Sequence, residues 1–157
     1  MKIEKNIKQS SDCCISMSSI IVTERVLHVK YQKTPDQDII KCADEYEGQI
    51  PERVGFNFPM HIVKKVFPRH PYLQYPADYV ICYQENDKKA CAHELLHAKF
   101  YLDKKYKHTI TKLWDKLNPI KRLKVEKHLK EMGYPESVWL DEFQAYLFTE
   151  KKDFFRI

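Results

Sequence analysis

One stretch, His93-Glu94-Leu95-Leu96-His97, constrains this chain more than any other. Histidines four residues apart share one face of an α-helix, so His93 and His97 would present two imidazoles to one point, at a spacing that suits a tetrahedral zinc ion. Glu94 falls one position round, beside that point. The surroundings read as helix: Asn86 and Asp87 are N-cap candidates, residues 90–102 contain neither Gly nor Pro, and Cys91, Leu95, Ala98 and Leu102 recur at helical spacing. That apolar stripe is expected to hold the helix from behind while the histidines look into a cleft. Shuffling a composition like this one yields H-E-x-x-H in roughly 2 to 3 chains per hundred, so the helical context has to carry the argument. The plain alternative is an amphipathic helix whose histidines merely meet solvent. The opposed apolar face speaks against it.

The remaining sequence reads as scaffold. At 157 residues with 43% hydrophobic content, residues 19–157 are long enough to form a single domain with its own core, and the polar, Lys- and Ser-rich residues 1–18 read as a flexible N-terminal arm. No apolar run approaches the ~18 residues of a membrane span, and no signal-peptide core is visible near the N-terminus. The five cysteines are an odd count without C-x-x-C spacing, which suggests reduced thiols and a cytoplasmic location. The net charge of +5 comes from dispersed lysines without an arginine cluster, so a solvated helical face is favoured over a nucleic-acid surface, and no membrane partner is expected.

In chain order, two β-branched runs in residues 20–31 suggest a strand or hairpin. Thr34, Pro35 and Gln37 then suggest a capped helix start, with Ile39, Ile40, Ala43 and Tyr46 inward and Gly48 as the stop. Residues 55–58 suggest a short strand and 59–67 a brief helix, before Pro68, Pro71 and Pro76 break the pattern. His28 reads as a strand-face residue, and His61 and His70 as surface residues, the latter a candidate for the cleft. Residues 79–83 have the strongest strand propensity and run straight into the H-E-x-x-H helix. Further helices are expected over 108–117, from Pro119 to a stop at Gly133, and over 135–150. The last is apolar nearly all round yet carries Asp141 and Glu142. An unpaired carboxylate buried there would cost several kcal/mol, so it should have a cation or a metal.

A catalytic zinc takes three protein ligands and a water. Phe100 and Asp103 stand where the metzincin continuation needs Gly and His, which excludes that class. Glu142, His108 and, one helical step away, Asp141 remain as candidates for the third ligand. Glu142-Phe143-Gln144-Ala145-Tyr146 resembles the glutamate helix of gluzincins, and residues 79–146 together resemble the small intracellular members of that clan, minigluzincins included. The resemblance covers less than half the chain and rests on short motifs. It implies an α+β fold, mostly helical, in which a small antiparallel or mixed sheet packs on the H-E-x-x-H helix and a C-terminal glutamate helix. It also implies that the strand before the active-site helix is an edge along which an extended peptide can pair.

What the resemblance implies functionally is a zinc metallopeptidase with His93, His97 and Glu142 as ligands, Glu94 as general base, and peptide or protein substrates. Some gluzincins carry an Asp four residues after the ligand Glu; Tyr146 stands there, so either another group orients a histidine or Tyr146 supports the oxyanion. Trp114 and a third ligand at His108 would instead resemble SprT-like, DNA-associated proteases, although Thr109 replaces the Gly usual after that His. The non-enzyme alternative is a metal-bearing binding protein. Two segments could restrain such an enzyme: the arm with Cys13 and Cys14, and the tail 151–157 with Phe154 and Phe155. Packing of the tail on the core is the competing expectation.

Overall fold

The computed structural model describes the backbone of residues 3–11 and 14–157, and side chains from residue 19 onward. The elements run β1 (Ile3–Ser11), β2 (Cys14–Thr23), β3 (Val26–Tyr31), α1 (Gln37–Glu47), β4 (Phe56–Pro59), α2 (Met60–Val66), β5 (Tyr79–Gln84), α3 (Lys88–Leu102), α4 (Lys104–Lys116), α5 (Pro119–Glu131) and α6 (Trp139–Thr149). The fold is α+β and mostly helical. Its strands form one mixed sheet in the order β1-β2-β3-β5-β4, antiparallel throughout except for the parallel β3–β5 pair.

Strand periodicity explains how the sheet sits between layers. Along β5, Val80 and Cys82 point into a cluster with Leu27, Val29, Phe56, Phe58 and Ile39. Tyr79, Ile81 and Tyr83 point the other way, into a cluster with Val26 and with Ala98 of α3. Both faces of the strand are covered, which is why residues 79–83 read as a continuous apolar run. Each large side chain buried this way contributes about 1.5–3 kcal/mol, so β5 is firmly anchored beneath α3. On the far side of α3, a third cluster of Trp114, Val125, Leu129, Phe143 and Phe155 unites α4, α5, α6 and the tail.

Several expectations need correction. β5 is an interior strand; β4 pairs on its outer side and forms the sheet edge instead. β4 is only four residues long but buries Phe56 and Phe58 on one face, enough to hold it there. The cap of α1 is Asp36, whose carboxylate accepts from Asp38 N at 3.0 Å, in place of the hydroxyl of Thr34. A carboxylate is the stronger acceptor for the partly positive helix start. The segment expected as an arm contributes backbone at Ile3–Ser11 and from Cys14 onward to an antiparallel hairpin that continues the β2–β3 ladder. Of the apolar stripe on α3, Ala98 is buried while Leu95 is 37% exposed, because the sheet covers only a narrow strip of the helix. Among the described residues no helix is long and apolar enough to cross a membrane.

Candidate metal centre

α3 begins where Asp87 accepts a hydrogen bond from Ala90 N at 2.9 Å, a cap worth about 1 kcal/mol. Six residues on, His93 and one turn later His97 emerge toward α6, their ring nitrogens Nε2 3.2 Å apart. Glu142, in the first turn of α6, faces both: its Oε2 lies 3.0 Å from His97 Nε2 and its Oε1 3.8 Å from His93 Nε2. His97 and Glu142 are almost wholly buried.

The tautomers of both histidines follow from their other nitrogens. His97 Nδ1 is 2.8 Å from Asp141 Oδ1, and an ionised carboxylate can only accept, so Nδ1 carries the proton. Asp141 is fixed in turn by Gln144, whose Nε2 donates to both Asp141 Oδ1 and Leu96 O, while its Oε1 accepts from Tyr106 OH. His93 Nδ1 is 3.3 Å from Thr149 Oγ1, whose own hydroxyl proton goes to Ala145 O. Thr149 must therefore accept and His93 donate. Both Nε2 lone pairs then converge on the carboxylate of Glu142, a trio of acceptors without a donor.

Such a trio is unfavourable unless something positive sits within it. Glu142 Oε2 is buried and makes no well-directed hydrogen bond, although His97 Nε2 is close. Burial raises the Glu142 pKa, but the His97 and His93 imidazoles outweigh it and hold the carboxyl down at about 2. Burial likewise pulls His97 down, and Asp141 and Glu142 together drive it well above the ordinary histidine range. A divalent cation would satisfy all three acceptors at once, so the residues present fit one.

Glu94 sits beside this trio, with one carboxylate oxygen within 4.8 Å of ligand atoms of both histidines. Its surroundings differ from those of Glu142. Asn57 of β4 donates from Nδ2 to Glu94 Oε2 at 3.0 Å, and Tyr79 OH donates to Asn57 Oδ1 at 2.6 Å, which fixes the amide orientation. Gly55 packs against the other oxygen; a Cβ there would lie 2.5 Å from Glu94 Oε1. Burial raises the Glu94 pKa, the two histidines opposing it.

A cavity of about 660 Å³ opens over His93, Glu94 and Glu142. Tyr134 and Tyr146 form part of its wall, their hydroxyls 2.8 Å apart. The Tyr146 ring meets His93 edge-on at 4.6 Å and stacks on Phe154 at 4.9 Å. Burial pushes the Tyr146 phenol up to about 12. Glu47, at the end of α1, lines the same cavity and accepts from Arg53 Nη2 at 2.8 Å. Its carboxyl is raised to about 8, chiefly by burial and then by Glu142.

The other sequence candidates lie elsewhere. His108 is exposed on α4. His70 Nε2 lies 2.9 Å from Asp38 Oδ2, and its ring packs against Tyr72, away from the cleft. Phe155 is buried against Phe143, and Phe154 lies behind Tyr146, so the tail packs on the helical core outside the cleft lining. Cys13 and the Cys14 side chain fall outside the described residues. Sequence reasoning missed Asn57, Tyr79, Tyr134 and Thr149 as parts of the site, and Asp141 as the group that orients His97. The Phe56-Asn57-Phe58 alternation held a signal, since it turns Asn57 to the face opposite two core phenylalanines.

Compared with family models, curated proteins and solved structures, the chain matches none.

Proposed function

We propose that this chain is a zinc-dependent metallopeptidase of gluzincin type, with His93, His97 and Glu142 as metal ligands and Glu94 as general base. The observation that carries this reading is the convergence of two Nε2 lone pairs and one orphaned buried carboxylate oxygen, each histidine oriented from behind by Asp141 or Thr149. Two imidazoles and a carboxylate are a donor set that zinc accepts, with one position open. When bound, zinc would supply Lewis acidity toward the substrate carbonyl and the attacking water.

The residues then divide the work. Glu94, buried and raised in pKa, takes a proton from the attacking water and returns it to the leaving amine. Asn57 and Gly55 hold its two oxygens in place. Two phenols facing each other share one hydrogen bond and keep one O–H free, so the Tyr134–Tyr146 pair can donate to the developing oxyanion.

The exposed position of His108 weighs against the SprT-like reading. A metal-bearing binding protein would share the ligand set but lose nothing when Glu94 is changed. Metal analysis tests the ligand set: purified protein should hold about one zinc per chain. A His97→Ala variant that is folded and still holds full zinc would refute it.

A further inference from the structure

The cleft over Glu94 has two walls. One is the loop 48–55, which leads from α1 into β4; the other is the turn 132–135 between α5 and α6. The walls meet. Gly133 has φ +96°, and a Cβ on it would stand 2.9 Å from Pro51 Cδ, so only a glycine backbone permits this contact. A polypeptide passing straight through the cavity would collide with that bridge.

Beside the bridge lies Arg53. Its side chain is 9% exposed, and its Nη2 donates to Glu47 Oε1 and, at 3.3 Å, to Gly48 O. Its guanidinium also covers the Phe56 ring, 5.6 Å from the centroid. Nη1 is buried without a hydrogen-bond partner. A buried guanidinium N–H left unsatisfied is costly, and a carboxylate is the group whose geometry fits it.

Of the two ends of a peptide only the C-terminus carries a carboxylate, so that is the end the unpartnered Nη1 of Arg53 would receive. Glu52 and Glu131 on the rim oppose an anion, but both are solvent-exposed and hence screened, whereas Arg53 is not.

Building on the peptidase reading above, we propose that Arg53 recognises the C-terminal carboxylate of the substrate, so that the cleft acts on chain ends and short peptides. The test compares hydrolysis by the zinc-loaded full chain of one set of short peptides in three forms: free acid, C-terminal amide and Nα-acetylated. Amidation should lower kcat/KM roughly tenfold or more, mainly through KM, while acetylation changes it little. Arg53→Gln alone would strand Glu47 in the core, so the Glu47→Gln/Arg53→Gln double variant is the safer probe. It should hydrolyse acid and amide forms alike. Pro51→Gly should relieve the bridge and raise cleavage of internal bonds in doubly blocked peptides. Calorimetric binding of the same peptides to zinc-loaded Glu94→Gln protein gives a readout without turnover: acids should bind more tightly than amides. Equal treatment of acids and amides in both assays, or a loss caused by acetylation instead, would overturn the proposal. Absence of hydrolysis with the acid-over-amide binding preference intact would refute only the peptidase reading.

Discussion

Asp141 Oδ1 lies 2.8 Å from His97 Nδ1, and that contact aims the opposite nitrogen of the ring at Glu142. Adjacent residues on α6 thus serve one histidine from two sides. Asp141→Asn should keep the fold but weaken zinc binding by roughly ten- to a hundredfold, the usual cost of losing a group that orients a ligand. Competition with a chromophoric chelator measures it. An unchanged affinity would mean that the Asp141 carboxylate does not set the orientation of His97.

Glu142→Ala and His108→Ala separate the two candidate third ligands. The first should abolish stoichiometric zinc, since it deletes a buried carboxylate facing both imidazoles; the second removes only an exposed side chain. The reverse result, accompanied by salt-sensitive DNA binding, would transfer the protein to the DNA-associated class.

Gly55→Ala probes the placement of Glu94, the proposed base. The added methyl would stand 2.5 Å from Glu94 Oε1, and the flexible carboxylate, more easily moved than the backbone, should yield. Displacing a catalytic group by about 1 Å can cost about a hundredfold in turnover, so kcat should fall with zinc content and melting temperature nearly unchanged. Wild-type kcat in this variant would mean that Glu94 tolerates displacement and is not the base.

His28 makes stability depend on pH outside the candidate metal centre. Burial, reinforced by Lys30, lowers its pKa from 6.5 to about 4, and it is held neutral between Thr23 Oγ1 and Tyr83 OH. Between these two values the unfolded chain binds the proton and the folded chain does not. The stabilisation is therefore complete above about pH 6.5 and is lost as pH falls toward 4, by at most about 3 kcal/mol. Thermal melts of wild type and His28→Gln over this range check the sign. The wild type should lose stability more steeply on acidification; parallel curves would show that His28 does not contribute.

How far the sequence could be read depended on whether a feature was local. The α3 helix was legible because its capping residue, its freedom from Gly and Pro and its two histidines all lie within sixteen residues, and β5 because both its faces are buried. Glu142 stood out as a carboxylate in a greasy helix. The order of strands was not legible: β4 becomes the edge through pairing with a strand more than twenty residues downstream, and nothing local in a four-residue segment records that. Asn57, Tyr79 and Thr149 reach the site from three separate elements, so their roles exist only once the sheet and α6 close around α3. Asp141 was recognised as a possible ligand, but which way each of two adjacent carboxylates points depends on how α6 is rotated against α3.

The most direct test of the account is peptide hydrolysis by wild type and Glu94→Gln at matched zinc content. The variant should keep its zinc and its fold and lose roughly a hundredfold or more in kcat, because the substitution removes the base and none of the ligands. Equal turnover by the two proteins would contradict the mechanism at its centre.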